Sequence, residues 1–254
     1  MPSDPIEIEI VPCLSDNYAY LVKTGDVCAV VDPSEPEPVR AALARRGWKL
    51  THILNTHHHL DHTGGNLALK AETGAVVVGP GKDAARIPGI DSGVEEGSDL
   101  ELGGHRVQVL EVPAHTRGAI TFVIDGHAFT GDTLFTLGCG RLFEGDAAMM
   151  WQSLSKLMKL PDDTRIWCGH EYTQSNGRFA LTLEPGNQAL KARMDEVNAL
   201  RAAGKPTVPA TLGLEKQTNP FLRPDSAEIR KSLGMEQEDT VTVFGKIRER
   251  KNSF

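Results

Sequence analysis

The stretch Thr56-His57-His58-His59-Leu60-Asp61-His62-Thr63-Gly64-Gly65-Asn66 decides how the rest of the chain is read. Five potential metal ligands fall within the six residues from His57 to His62. In extended backbone, residues two apart point the same way, so His57 and His59 can converge on one ion from the end of a strand. The following turn can bring Asp61 and His62 to a second. Gly64 and Gly65 then let the chain turn sharply into a helix. Imidazole and carboxylate suit zinc, iron and manganese more than they suit soft metals. Five ionisable side chains in a Gly-flanked loop would repel or go unsatisfied without a metal, so a structural role explains the cluster poorly. His58 is expected to point away from its neighbours.

Working outward, residues 51–54 read as a short strand feeding this loop, and residues 65–72 as the helix after it. Upstream, residues 6–11 alternate Ile and Glu, the period of a half-buried strand. Residues 18–23 and 27–31 are further strands, the latter ended by Asp32-Pro33, and residues 37–46 are a helix with Gly47 past its end. Downstream, residues 75–79 form a strand. Residues 80–99, rich in Gly, Asp and Pro, read as surface loop. Residues 106–112 form a strand ending at Pro113. The segments 120–124 and 127–130 flank Asp125-Gly126, a strong hairpin signal. A helix over 147–159 and a strand over 165–168 follow. Three more ligands stand where strands end: His115, Asp132 and His170. Four separate strand ends therefore each deliver ligands, as at one edge of a sandwich. His52, His105 and His127 carry no such context and read as structural. Cys139, between Gly138 and Gly140, reads as a small buried thiol in a turn.

Beyond His170 the period becomes helical, with Leu190, Met194, Val197 and Leu200 on one face. Asn187, Ser226 and Asp239 stand where helix N-caps would. No strand is expected there. The organisation is a strand-rich part over residues 1–172 and a helical part over residues 173–254.

At 254 residues the chain can bury a sizeable core without staples. Its formal net charge of −7 argues against nucleic acid as the partner. The last fourteen residues run the other way, with Lys246, Arg248, Arg250 and Lys251 against Glu249, which suggests a local anionic ligand. Four scattered cysteines form no Cys-x-x-Cys pair, which fits a reducing compartment. The opening MPSDPIEIEI has no secretory pattern, and no run of about 20 apolar residues exists, so a cytoplasmic location away from membranes is expected.

The motif His-x-His-x-Asp-His with a later His, Asp and His resembles the metallo-β-lactamase superfamily. More narrowly, Gly131-Asp132-Thr133-Leu134-Phe135, Gly138-Cys139-Gly140-Arg141, Cys168-Gly169-His170-Glu171-Tyr172 and Asn219-Pro220-Phe221-Leu222-Arg223 resemble the glyoxalase II family. The resemblance implies an α/β (α+β) fold: a four-layer αββα sandwich with a C-terminal α-helical substrate domain. It implies two divalent metal ions per chain, zinc foremost, with iron or manganese also admitted. One would be held by His57, His59 and His115, the other by Asp61, His62 and His170, with Asp132 bridging. A water activated between the ions would attack the thioester of a 2-hydroxyacyl-glutathione, its position fixed through the metals by Asp61 and Asp132. Arg141, Phe143, Tyr172, Arg248 and Lys251 match the family's glutathione-side positions. Arg141 replaces the usual Lys, and Phe143 the usual Tyr. The partner implied is that small molecule, with no obligate protein partner. A mononuclear-iron persulfide dioxygenase of the same superfamily is the rival reading.

Overall fold

The alternating Ile-Glu stretch forms the strand Glu7–Cys13, which pairs antiparallel with Asn17–Thr24. Val27–Val31 adds antiparallel, and His52–Leu54, Val76–Pro80 and Ser92–Val94 add in parallel, giving a six-stranded mixed sheet in chain order. Parallel neighbours need crossovers. The first contains the helix Pro36–Arg46, with proline where the missing N–H is harmless and Gly47 closing the end at φ 66°. The second contains Asn66–Thr73. Val39, Ala42, Leu43 and Leu69 of these helices pack on Leu21, Val30, Ile53 and Val77 of the sheet. Burying each of these valine, leucine and isoleucine side chains contributes about 1.5–3 kcal/mol.

The computed structural model describes residues 4–254; residues 1–3, which open the N-terminal stretch read above, lie outside them. The chain packs as two compact units. One runs to Glu111 and includes Thr116–Gly131; the other is Val112–His115 with Asp132–Phe254. In the first unit, Leu100–Leu102, His105–Glu111, Ile120–Ile124 and His127–Gly131 form an antiparallel meander. Its Asp125-Gly126 turn has φ of 44° and 75°, as a two-residue hairpin of this hand requires. The Tyr20 ring lies 5.6 Å from that of Phe129, so the inner faces of the two sheets meet within this unit. At Gly131 (φ 48°) a Cβ would stand 2.2 Å from Thr56 Oγ1, so only glycine lets this strand end approach the histidine loop.

Residues 80–99 are more ordered than their composition suggests. Gly81–Arg86 forms a 3₁₀ turn, and Ser92–Val94 is the sheet's edge strand. Pairing with Val76–Pro80 overrides a weak local preference there. His105 is structural as expected: buried, with Nδ1 2.6 Å from Asp125 Oδ2 and Nε2 2.7 Å from the Asp4 carbonyl.

In the second unit, Leu134–Phe135 and Gly138–Cys139 form a small hairpin. Arg165–Cys168 pairs antiparallel with Ala210–Thr211, a strand not expected beyond His170; two residues carry no period to read. Helices Ala147–Leu157, Thr173–Leu183, Gln188–Ala202, Leu212–Thr218, Ala227–Leu233 and Thr240–Asn252 make up most of the remainder. Leu190, Met194 and Val197 pack with Leu137 and Ala180. Asn187 and Asp239 cap their helices through side-chain oxygens. Ser226 holds the N-cap position but makes no cap bond, because its hydroxyl donates to the buried Glu184 carboxylate at 2.5 Å. No helix among the described residues is long and apolar enough to cross a membrane.

Candidate metal centre

In the first unit, the strand His52–Leu54 hands directly into the histidine cluster. Asn55 Nδ2 donates to the His62 carbonyl (3.1 Å), closing the loop, and the helical turn Leu60–Thr63 carries Asp61 and His62. Beneath lies Asp32, 3% exposed, at the end of Val27–Val31. Its carboxylate accepts from Thr56 N (2.8 Å) and Thr56 Oγ1 (2.6 Å) and lies 3.1 Å from His62 Nδ1.

These partners fix the imidazole protons. The Thr56 hydroxyl gives its proton to Asp32, so its lone pair takes Nδ1–H of His57 at 3.0 Å. His57 then presents a bare Nε2, 3.2 Å from His59 Nδ1. His62 gives Nδ1–H to Asp32 and presents Nε2 toward Asp61 Oδ2 at 3.6 Å. Asn17 Nδ2 holds Asp61 by its backbone carbonyl (3.0 Å) and its Oδ2 (3.2 Å). Asp32, His57 and His62 offer ligand atoms within 4.8 Å of one another. His58 turns Nδ1 to 3.3 Å from the buried Asp83 carboxylate, though its ring stays 4.9 Å from that of His59.

In the second unit, Ala114 at φ 142° holds strained backbone just before His115. His115 Nδ1 lies 2.9 Å from the Arg141 carbonyl. A carbonyl only accepts, so Nδ1 carries a proton, and Nε2 faces Asp132 Oδ2 at 3.4 Å. His170 Nε2 lies 3.3 Å from the same oxygen. Gly140 permits this closeness, since a Cβ there would fall 1.8 Å from the Asp132 carbonyl oxygen.

In the neutral tautomers that these bonds set, both units place an imidazole Nε2 near a carboxylate oxygen, His62 near Asp61 and His115 near Asp132. An unprotonated imidazole nitrogen and a carboxylate oxygen this close, at 3.6 and 3.4 Å, suit a cation between them. The donors are all nitrogen and oxygen, a set that suits a divalent ion such as zinc, iron or manganese. His62 and His115 also have the far nitrogen tied to a carboxylate and a carbonyl respectively, the usual way a metal-binding histidine is oriented. The residues therefore fit a divalent metal site. Cys139 stays outside this chemistry: burial pushes its thiol up to about 11.

The substrate-side candidates all belong to the second unit. The Arg141 side chain is exposed, and Phe143 is 61% exposed with its ring 5.2 Å from that of His115. Tyr172 stacks on His170 at 4.6 Å and 6°. Lys251 is half-buried, its Nζ 3.3 Å from Ser175 Oγ. Arg248 is only 5% exposed; Nη1 donates to the Cys139 carbonyl (2.7 Å), Nε to Asn252 Oδ1 (3.1 Å), and the guanidinium lies 5.0 Å from the Phe221 ring centre. Sequence reasoning missed Asn17 and Asp32. Asp32 read only as a strand terminator, although an acid at a strand end beside the histidine loop was the available signal.

Residues 15–170 match the family model of the metallo-beta-lactamase superfamily, and residues 171–254 that of the hydroxyacylglutathione hydrolase C-terminus. A protein named hydroxyacylglutathione hydrolase from Rhodospirillum rubrum is 54% identical, covering 98% of this chain and 99% of its own length. One of the same name from Methylococcus capsulatus is 53% identical over the same shares. Among solved structures, TTHA1623 in a di-iron-bound form is 28% identical with a TM-score of 0.61, covering 85% of this chain and 100% of that one. The fold is the expected metallo-β-lactamase sandwich with a C-terminal helical domain. With half its residues identical to these relatives over nearly its whole length, the chain belongs to the hydroxyacylglutathione hydrolase (glyoxalase II) family of the metallo-β-lactamase superfamily.

Proposed function

We propose that the protein hydrolyses S-(2-hydroxyacyl)glutathione, such as S-lactoylglutathione, to glutathione and a 2-hydroxy acid (D-lactate), the second step of methylglyoxal detoxification. The observation that carries this reading is the near-full-length likeness to relatives named for that reaction. The persulfide dioxygenase reading is not favoured by these relatives. The family models meet at residues 170 and 171, which supports a catalytic domain over residues 1–172 and a substrate domain over residues 173–254. Four free, buried cysteines fit a reducing compartment, and the cytoplasm is the proposed location.

His57, His59 and His115 would hold one ion and Asp61, His62 and His170 the other, with Asp132 shared. Neither unit alone supplies two full ligand sets, and a relative is known in a di-iron-bound form. Zinc remains first choice, with iron or manganese admitted. Two such ions, when bound, supply Lewis acidity for a water and for the charge developing at the thioester carbonyl. The chain's own part is orientation. Asp32 and the Arg141 carbonyl keep His62 and His115 in the tautomers that leave Nε2 bare, and Asn17 holds Asp61.

Glutathione carries carboxylates, and Arg141, Phe143, Tyr172, Arg248 and Lys251 form its proposed binding side. The Lys251 ammonium is held below the usual lysine range, first by burial and then by Arg248, Arg178 and Arg141. Cations gathered this closely favour an anion among them. Phe143 offers an apolar wall in place of a donor. Steady-state hydrolysis of S-lactoylglutathione tests the reading, and absence of turnover by the metal-loaded protein would sink it. Lys251→Ala is expected to raise KM about 10-fold, the worth of one charge-assisted hydrogen bond, with kcat within about twofold. A matching fall in kcat with KM unchanged would speak against a ground-state clamp.

A further inference from the structure

The hairpin Leu134–Cys139 is too short to hold itself. It pairs Leu134 with Cys139 and Phe135 with Gly138, leaving Thr136 and Leu137 at the tip. Leu137 sits at φ 59°, a conformation costly for a branched side chain. Side chains from the helical segments take up its backbone groups. Asn219 Nδ2 lies 3.1 Å from the Phe135 carbonyl and 3.0 Å from that of Gly138. Glu215 Oε2 accepts from Leu137 N (2.8 Å) and from Asn219 Nδ2 (2.9 Å). Asn176 Nδ2 donates to the Thr136 carbonyl at 3.1 Å. Glu215 and Asn219 are fully buried. Their remaining oxygens differ: Asn219 Oδ1 accepts from Phe221 N, whereas Glu215 Oε1 has no hydrogen-bond partner.

Both ends of this hairpin reach the second unit's ligand set. One arm begins two residues after Asp132. The other runs into Gly140, packed against the Asp132 carbonyl, and Arg141, whose own carbonyl fixes the His115 tautomer. We propose that Glu215 and Asn219, with Asn176, are positioning residues that set His115, Asp132 and the Arg141 side chain through the hairpin Leu134–Cys139. Burial pushes the Glu215 carboxyl up to about 7, so near neutrality it is partly uncharged and a glutamine can replace it as acceptor. The effect on turnover rests on the thioesterase reading. The effect on metal affinity rests only on the donor set.

The test compares Asn219→Leu, Glu215→Leu, Asn176→Ala and Glu215→Gln with Thr211→Ala. The last removes the N-cap of the helix Leu212–Thr218, which carries Glu215, and leaves the hairpin contacts in place. Zinc affinity is measured on stripped protein by competition with a chromogenic chelator, alongside kcat, KM and Tm. Asn219→Leu and Glu215→Leu are expected to weaken zinc binding about 10- to 100-fold and to lower kcat, as loss of ligand-orienting contacts does. Glu215→Gln should stay within about threefold of the parent, given that acceptor role. Thr211→Ala should lower Tm alone. If the two leucine variants do not fold, Asn176→Ala decides, with zinc binding expected to weaken about 10-fold. Parental zinc affinity and kcat in the folded hairpin variants, with only Tm reduced, would overturn the proposal. A parent that binds zinc but leaves S-lactoylglutathione intact would defeat the functional reading, and the zinc affinities would still judge the hairpin.

Discussion

Asp132→Ala is expected to lose metal and turnover together. Asp132 Oδ2 lies within 3.4 Å of both His115 Nε2 and His170 Nε2, and the residue is 9% exposed. Its carboxylate is placed against both imidazoles, and it is the proposed bridge between the ions. Its removal takes away several kcal/mol of charge stabilisation, so kcat/KM should fall on the order of 10³-fold or more. Zinc bound per chain should fall in parallel. A thioesterase rate equal to the parent's would end the two-metal reading.

Asp32 is the second position of large expected effect, and its two substitutions should separate fold from metal. Asp32→Ala strips the acceptor from Thr56 N, Thr56 Oγ1 and His62 Nδ1 at a site buried in the core. Unsatisfied buried donors cost about 1–3 kcal/mol each, so urea unfolding should show a loss of about 3–5 kcal/mol. Asp32→Asn keeps an oxygen for Thr56 N and tolerates the φ of 49° there. Its amide would now donate toward His62 Nδ1, pushing the His62 proton onto Nε2, the nitrogen aimed at Asp61. Most of the stability should therefore survive, while metal affinity falls about 10- to 100-fold. Equal metal affinity in Asp32→Asn and the parent would show that the His62 tautomer does not depend on Asp32.

What was legible in the sequence was local chemistry. The histidine loop needs only its own six residues to declare a metal, and Asp125-Gly126 needs only its two to declare a hairpin. Leu190, Met194 and Val197 declare a buried helix face by spacing alone. What was not legible depends on partners distant in the chain. Ser226 has the type and place of a cap, yet Glu184, 42 residues earlier, claims its hydroxyl. Ala210–Thr211 is a strand only because Arg165–Cys168 lies beside it. Arg248 reads from the sequence as one charge of a basic tail, and its burial follows from the Cys139 carbonyl and the Phe221 ring. Asp32, Glu215 and Asn219 share the same difficulty: each acts through hydrogen bonds to backbone or side chains whose proximity only folding creates.

We propose a hydrolase whose activity needs two divalent ions. Titrating metal-free protein with zinc while following S-lactoylglutathione hydrolysis tests it most directly. The stripped protein should show no turnover, and the rate should climb until two equivalents are bound. A rate that saturates at one equivalent, or that persists without metal, would contradict it.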